Sequence, residues 1–392
     1  MKLWQSKNGL DKDVEEYTVG NGYLFDQRLV EYDCIASIAH AKLLLKMKII
    51  NSKEHQQLVT ELRKIIRLNA AGKFKIIPAD EDVHTKIENY LTKKLGTAGK
   101  KIHTLRSRND QVLVALRLYS KSELAKVTGQ AKNLIQALRK FATKTKGTAM
   151  PGYTHMQRAM PSSVGLWAGA FQESLKADLK TLELALWAND ENPLGSAAGY
   201  GLPVKIDKNL TTKSLGFSRH FENPLYVQNT RQKTELTTVF ALLQAMLTLN
   251  KLASDLMLFT TKEFGFFSLP KSMCTGSSIM PQKRNYDALE IMRANFGAVS
   301  GNFYAMLACC ANLPSGYNRD AQLGKGRLMD SFDVTLKALK IARKIIMNLE
   351  VDKIALKAAD SEELYAAQRA IKMSLEGVPF RESYKKVSKG YE

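Results

Sequence analysis

The sequence predicts an all-α protein organised around long helices, and three observations lead there. Only 10 prolines occur in 392 residues, well below the roughly 5% of a typical globular chain. Between Thr230 and Glu263 there is no Gly or Pro, while Leu236, Val239, Phe240, Leu243, Met246, Leu247, Leu256 and Phe259 recur at helical spacing. No stretch shows a convincing strand pattern. At 1.5 Å per residue, a helix over that whole span is about 50 Å long. Such a helix belongs in an extended bundle, where several like it share one core.

Taken in order, residues 1–25 are polar and read as an arm or loop. Leu29-Val30, Ile35, Ile38, Leu43-Leu44 and Met47 predict a helix from Asp26 to Lys48. Asn51-Ser52 caps a second helix that Gly72 closes. Pro78-Ala79-Asp80-Glu81-Asp82 opens a third, its acids suited to a positive helix start. His84 and Glu88 lie one turn apart there; two ligands without a third make no metal site, and a surface or supporting role is expected. Gly96 to Lys101 reads as a turn. Helices follow from Gln111 toward Lys146, then to Trp187, from about Asp287 to Asn312 and from about Leu328 to Asn348. Asn192 to Pro203 is an uncharged Gly/Pro/Ser/Ala loop suited to a close approach or an interface. Short helices end the chain. The expected division is an N-terminal helical domain (1–102), a central long-helix domain (103–348) and a short C-terminal helical domain (349–392).

Composition narrows the function classes. Lys and Arg number 58 against 38 Asp and Glu, a net charge of +20. The charge is spread along the chain without a dense basic block, a zinc finger or a phosphate loop, so nucleic acid is the weaker choice of anionic partner. No run reaches about 18 uncharged apolar residues, so no membrane span is expected. Met1-Lys2-Leu3-Trp4-Gln5 shows neither apolar run nor cleavage site, so no signal peptide is expected. Cys34, Cys274, Cys309 and Cys310 fit no zinc or redox spacing and read as reduced, buried thiols of a cytoplasmic protein.

Polar islands interrupt the helices. His103-Thr104-Leu105-Arg106-Ser107-Arg108-Asn109-Asp110-Gln111 places donors at a helix start, where an anion can bind; a plain helix cap with solvent-facing arginines fits as well. Pro151-Gly152-Tyr153-Thr154-His155-Met156-Gln157-Arg158 surrounds one histidine with polar side chains, which argues against an apolar core position. Gly276-Ser277-Ser278-Ile279-Met280-Pro281-Gln282-Lys283-Arg284-Asn285 is polar, bendable and fixed at both ends, as a mobile catalytic loop is; by composition alone an ordinary connection between helices fits as well. Pro314 to Lys325 is a further donor-rich loop.

The third island resembles the signature loop of the fumarase/aspartase superfamily, Gly-Ser-Ser-x-Met-Pro-x-Lys-x-Asn. Within that superfamily, His103 to Gln111, Pro151 to Arg158, Asp287 to Glu290, Tyr317 to Gln322 with Lys325, and Gly377 to Glu382 are similar in order to motifs of the argininosuccinate lyase family. The resemblance covers nearly the full chain. It implies a three-domain all-α fold and a homotetramer with a twenty-helix core, each site being shared between subunits. It implies the reversible β-elimination of argininosuccinate to arginine and fumarate, with no metal and no organic cofactor.

By the same resemblance, Ser277 takes the proton from the carbon beside a carboxylate. Lys283 and Asn285 hold that carboxylate and stabilise the charge that builds on it. His155 acts on the leaving-group side with Glu290 polarising it. Thr154, Arg108 and Asn109 contact the succinyl carboxylates, and Tyr317, Gln322 and Lys325 line the rest of the pocket. The chain departs from the family at Leu105 (a glycine there), Tyr286 (a proline there), Gly199-Tyr200-Gly201 and Gln228-Asn229-Thr230-Arg231. It also lacks a clear counterpart of the N-terminal serine near Asn21-Gly22. Competing functions are a sister lyase such as adenylosuccinate lyase, a silent crystallin-like protein, and a basic nucleic-acid-binding helical protein.

Overall fold

The structure, a computed structural model, describes residues 10–391; the reading of Met1-Lys2-Leu3-Trp4-Gln5 lies outside them. The chain is helical as expected. Its longest helices are Arg108–Lys144, Val164–Asn189, Lys233–Phe259, Asp287–Cys310 and Gly324–Met347. It divides into two compact units. The first runs to Lys126 and resumes over Thr181–Leu242 and Val299–Asp333; the second holds Val127–Lys180, Leu243–Ala298 and the chain from Val334 onward. Each change of unit therefore falls inside a long helix.

In the first unit the Val30–Lys46 helix packs on Ser52–Ala70 and on Lys208–Leu215. Ala36, Ala39, Val114, Leu194, Leu215 and Phe217 form a core cluster there. The Ser52–Ala70 helix starts where the sequence places it. Asn51 Oδ1 accepts from Glu54 N, and Glu54 Oε2 accepts from Asn51 N, both at 2.9 Å, which satisfies two otherwise orphaned donors. Beneath this layer lies a buried polar network. His84 Nδ1 is 3.1 Å from Asp33 Oδ1, Gln111 Nε2 donates to Asp33 at 3.1 Å, and Arg106 Nη1 donates to Ser37 Oγ at 2.9 Å. His84 is therefore a core residue, which rules out the surface alternative and leaves the supporting one. Glu88 turns instead to His103, whose Nδ1 lies 2.8 Å away.

In the second unit an antiparallel hairpin, Ala149–Thr154 with Gln157–Ser163, corrects the expectation that strands are absent. Its sequence hides it. Pro151 faces Pro161 and a bulge follows Gly152, so alternation is lost, and proline is tolerated because a two-stranded ribbon is all edge. The hairpin packs on the Lys353–Ala358 helix and the Glu362–Tyr365 turn. Tyr153 also meets Phe259 and Phe264, in an aromatic cluster that extends to Phe266, Phe267 and Trp167.

Other boundaries move for local reasons. Residues Lys12–Val19 and Gly22–Asp26 are helical, not an arm, and Thr97–Lys100 is a helical turn. The helix expected from Thr230 begins at Lys233, because Gln232 has a left-handed backbone (φ 60°) that neither Gly nor Pro announces. That helix is long and apolar enough to cross a membrane by length and composition, yet half of its apolar window is buried in the protein. Its polar groups find protein partners: Asp255 accepts from Trp167 Nε1 at 2.9 Å, and Asn250 Nδ2 donates to Arg293 O at 2.8 Å. These are the marks of a core helix. All four cysteines are free, but only Cys34 is buried.

Leu105 also has a left-handed backbone, φ 61°. Its turn is pinned by His40, whose Nε2 lies 2.8 Å from the Thr104 carbonyl; burial and the nearby Arg106 push the His40 pKa down to about 3, so the ring is neutral. A side chain in this conformation costs about 1 kcal/mol, which glycine avoids. Leu105→Gly should therefore raise the unfolding free energy by roughly 1 kcal/mol in urea titrations. A lowered midpoint would mean that leucine's packing outweighs the strain.

Candidate active site

Five of the expected substrate residues line one cavity of about 410 Å³ in the first unit: Arg108, Asn109, Tyr317, Gln322 and Lys325. They come from opposite ends of the sequence, and each is held by a specific partner or by the backbone. Arg108 Nη1 donates to Asp82 Oδ2 at 2.5 Å and to Thr85 Oγ1 at 2.8 Å. Asp82 also caps the Val83–Leu95 helix by accepting from Thr85 N at 2.7 Å, so one carboxylate fixes both a helix start and the arginine. Burial opposes the charge on Arg108, but Asp82 and Glu88 outweigh it and raise its pKa. Asn109 sits at the helix start with its backbone N donating to Ser107 Oγ at 3.2 Å, and its amide side chain has no protein partner among the described residues.

On the opposite wall Gln322 Nε2 donates to Thr18 O at 3.1 Å. Lys325 Nζ donates to Asp26, and that ion pair is nearly sealed from water. The Tyr317 ring lies 4.6 Å from the Arg231 guanidinium. Gly22 lines the cavity where the family's serine has no counterpart. Sequence reasoning missed Asp26, Glu81, Asp82, His103, Arg231 and Arg319 as lining residues. His103 and Asp82 carried a signal, sitting in a polar island and an acidic helix start; Asp26 carried none.

Asp110 joins the start of the Arg108–Lys144 helix to the 195–197 turn. It is fully buried; Ser107 N donates to Oδ1, and Gly195 N and Ala197 N donate to Oδ2, each at 3.0 Å. The uncharged 192–203 loop is thus fastened directly behind Arg108 and Asn109.

Ser277, Lys283, Asn285 and Glu290 belong to the second unit. Thr275 and Asn285 exchange two backbone hydrogen bonds, N to O at 3.0 and 2.9 Å, closing the neck of a nine-residue flap. Ser277 Oγ accepts from Ile279 N at 3.3 Å and Met280 N at 3.1 Å. Hydrogen bonds to the charged form favour it, so these amides stabilise an alkoxide at that oxygen. Asn285 Nδ2 donates to Gly276 O at 3.3 Å. Lys283 is exposed, and Glu290 lies exposed in the first turn of the Asp287–Cys310 helix.

Thr154 and His155 are exposed at the hairpin tip. His155 (φ 53°) and Met156 (φ 61°) occupy both central positions of a two-residue turn, which demands positive φ at each and usually takes Asn-Gly. Strain of this kind persists where surrounding structure imposes it and often marks function. Among the described residues no hydrogen bond or ion pair joins His155 to Ser277 or Glu290, and no group of three or more His, Cys, Asp or Glu is arranged to hold a metal.

Comparison with known proteins adds an independent line. A family model described as "Lyase" matches residues 11–301. Argininosuccinate lyase of Thermotoga neapolitana is 43% identical over 390 residues, covering 100% of this chain and 98% of its own length. That of Sorangium cellulosum is 40% identical, covering 99% and 90%. Among solved structures, EDDS lyase in complex with formate has a TM-score of 0.84 at 22% identity, covering 95% of this chain and 74% of that one; likeness at that identity speaks for the fold alone.

Burial raises the Asp110 pKa to about 6, against the downward pull of its backbone donors and Arg106. An unfolded Asp titrates near 4. The folded state keeps the proton where the unfolded state loses it, so this contribution is full below about pH 4, falls toward pH 6 and is flat above. Between pH 4 and 7, wild type should lose about 3 kcal/mol of unfolding free energy relative to Asp110→Asn. Equal pH dependence of the two proteins would mean that the amide donors hold the group ionised throughout.

Proposed function

This chain belongs to the lyase family and, within it, to the argininosuccinate lyases, and on that premise we propose that it cleaves argininosuccinate reversibly to L-arginine and fumarate, in arginine biosynthesis. One observation carries the residue assignment: a single cavity collects Arg108, Asn109, Tyr317, Gln322 and Lys325 from islands some 200 residues apart.

The chemistry breaks a C–H bond beside a carboxylate and the adjacent C–N bond. The electron pair becomes the double bond of fumarate, and the leaving guanidino nitrogen regains a proton. Ser277 is the base, its alkoxide favoured by the two amides that point at Oγ. Lys283 and Asn285 bind the neighbouring carboxylate and stabilise it as it becomes doubly charged. His155 protonates the leaving nitrogen, directly or through water, polarised by Glu290. Thr154, Arg108 and Asn109 hold the succinyl carboxylates, while Tyr317, Gln322 and Lys325 shape the remainder. Proton transfer and charge stabilisation suffice, so the mechanism calls for no metal or organic cofactor.

Catalysis in this scheme needs the exposed hairpin tip and the exposed flap to meet substrate together. A homotetramer with shared sites in the cytoplasm accomplishes that. Leu184, Trp187, Phe240 and Tyr304 in the first unit, and Leu166, Leu247 and Ile291 in the second, stand exposed on the long helices, as positions awaiting other copies would. The three-part division at about residues 102 and 348 is part of the same proposal.

Argininosuccinate added to purified protein should release fumarate, read by its ultraviolet absorbance; turnover of adenylosuccinate with none of argininosuccinate would overturn the assignment. For the shared site, Ser277→Ala and His155→Asn should each abolish activity, while subunit exchange between them restores part of it in hybrids carrying intact sites. No recovery after verified exchange would count against sites built from several subunits.

A further inference from the structure

The chain's positive charge collects in the second unit. Residues 127–147, the later part of the Arg108–Lys144 helix and the turn after it, hold Lys132, Arg139, Lys140, Lys144 and Lys146. Residues 334–349 hold Lys337, Lys340, Arg343 and Lys344. Neither stretch contains an acid, so nine cations sit in two short pieces of a chain whose whole net charge is +20. All nine are exposed. Among the described residues none of their side chains makes an ion pair, a hydrogen bond or a ring contact. The acids next along each helix are already engaged, Glu123 with Lys126 at 2.7 Å and Asp333 with Arg28 at 2.8 Å. A helix face that only meets water usually alternates the sign of its charges. Here Lys140 and Lys144, and Lys340 and Lys344, are like charges one turn apart, which destabilises a helix. A bound polyanion would turn that repulsion into attraction.

The helices bring cations of both stretches to one surface. Both start at the main cavity, at Arg108 and Lys325, and both pass the point where the Tyr119 and Phe332 rings pack edge to face, centroids 5.9 Å apart. They therefore run in the same direction. Each further residue turns about 100°. Counted from that contact, Lys337, Lys340 and Lys344 come to one flank of the pair, and Lys132, Arg139 and Lys140 come to the same flank from the other helix. Spacings of one to seven residues make these cations look dispersed along the sequence, and the helical turn gathers them. Asn133 and Gln136 stand exposed beside them, with amides that can donate to phosphate oxygens. Among the described residues of the two stretches no aromatic side chain is exposed to stack on a base. Ile341 and Met347 are the only large apolar side chains exposed there, too few to enter a lipid surface. We propose that this surface binds the phosphate backbone of a double-stranded nucleic acid, without sequence preference.

The full-length protein is titrated into fluorescein-labelled duplex DNA and duplex RNA of random sequence, with anisotropy read over a series of salt concentrations. One variant combines Lys132→Gln, Arg139→Gln, Lys140→Gln and Lys144→Gln; a second combines Lys337→Gln, Lys340→Gln, Arg343→Gln and Lys344→Gln. A control combines Lys53→Gln, Arg63→Gln, Arg67→Gln and Lys73→Gln, four exposed cations of the first unit. Circular dichroism and melting temperature check folding, so the outcome stands apart from any lyase activity. Wild type should bind a duplex with an affinity that falls steeply as salt rises. Each of the first two variants should bind about 10-fold or more weakly, with a salt slope lower by about one unit per phosphate contact removed. The control should stay within about 2-fold, since charges far from the contact are screened. A preference for one duplex identifies the natural ligand as DNA or RNA. An equal loss in the control would mean attraction by net charge alone, and the proposal falls. It falls equally if wild type binds neither duplex, or if these residues are needed for binding to vesicles of anionic phospholipid while no duplex binds.

Discussion

The first unit's cavity depends on one buried carboxyl group. Asp110 is closed off from water and takes backbone donors from its own helix start and from the 195–197 turn. Neither segment has enough regular structure to satisfy those amides itself. Removing the acceptor would strand three N–H groups, that of Ala197 buried and those of Ser107 and Gly195 half-buried, a buried one costing on the order of 1–3 kcal/mol. The group thereby fixes where the Arg108–Lys144 helix begins, and with it the direction of Arg108 and Asn109. Asp82 repeats the device one layer out, serving a helix cap and the Arg108 guanidinium with one side chain.

Much of this was legible beforehand, for reasons particular residues make plain. The long helices announce themselves by periodicity, and their ends by Asn51 and Gly72. The polar islands at Arg108, Tyr317 and Lys325 are visible because donors cluster where a core helix would be apolar. What stayed hidden has no local signature. Prolines at 151 and 161 mask the hairpin, and Gln232 breaks a helix with a left-handed backbone that glutamine seldom adopts. His84 looks amphipathic by position, yet its partner Asp33 lies about 50 residues away. Asp26 reads as an ordinary helix-start residue until Lys325 arrives from the far end of the chain.

The groups assigned to bond-breaking stand where the helices leave off. The left-handed backbone at His155 and the solvent-facing run from Ser278 to Arg284 both lie outside the regular helices. Both make sense as parts presented outward, held by the scaffold at their bases and free at their tips. Helices supply rigidity at the roots, and short strands and turns supply the projection that a helix surface cannot give.

The neck at Thr275 and Asn285 also sets a leash. Ser277 is two residues beyond Thr275, and Lys283 is two residues before Asn285. An extended chain gains at most about 3.6 Å per residue, so neither backbone position can stray more than about 7 Å from the clasp. Ser277 and Lys283 therefore travel on tethers of equal length from opposite sides of one anchor. Whatever surface receives them must come up to the clasp itself, and it then meets both together. The stretch between, Ser278 to Gln282, lies outside that geometric constraint, so its length can vary without lengthening either tether.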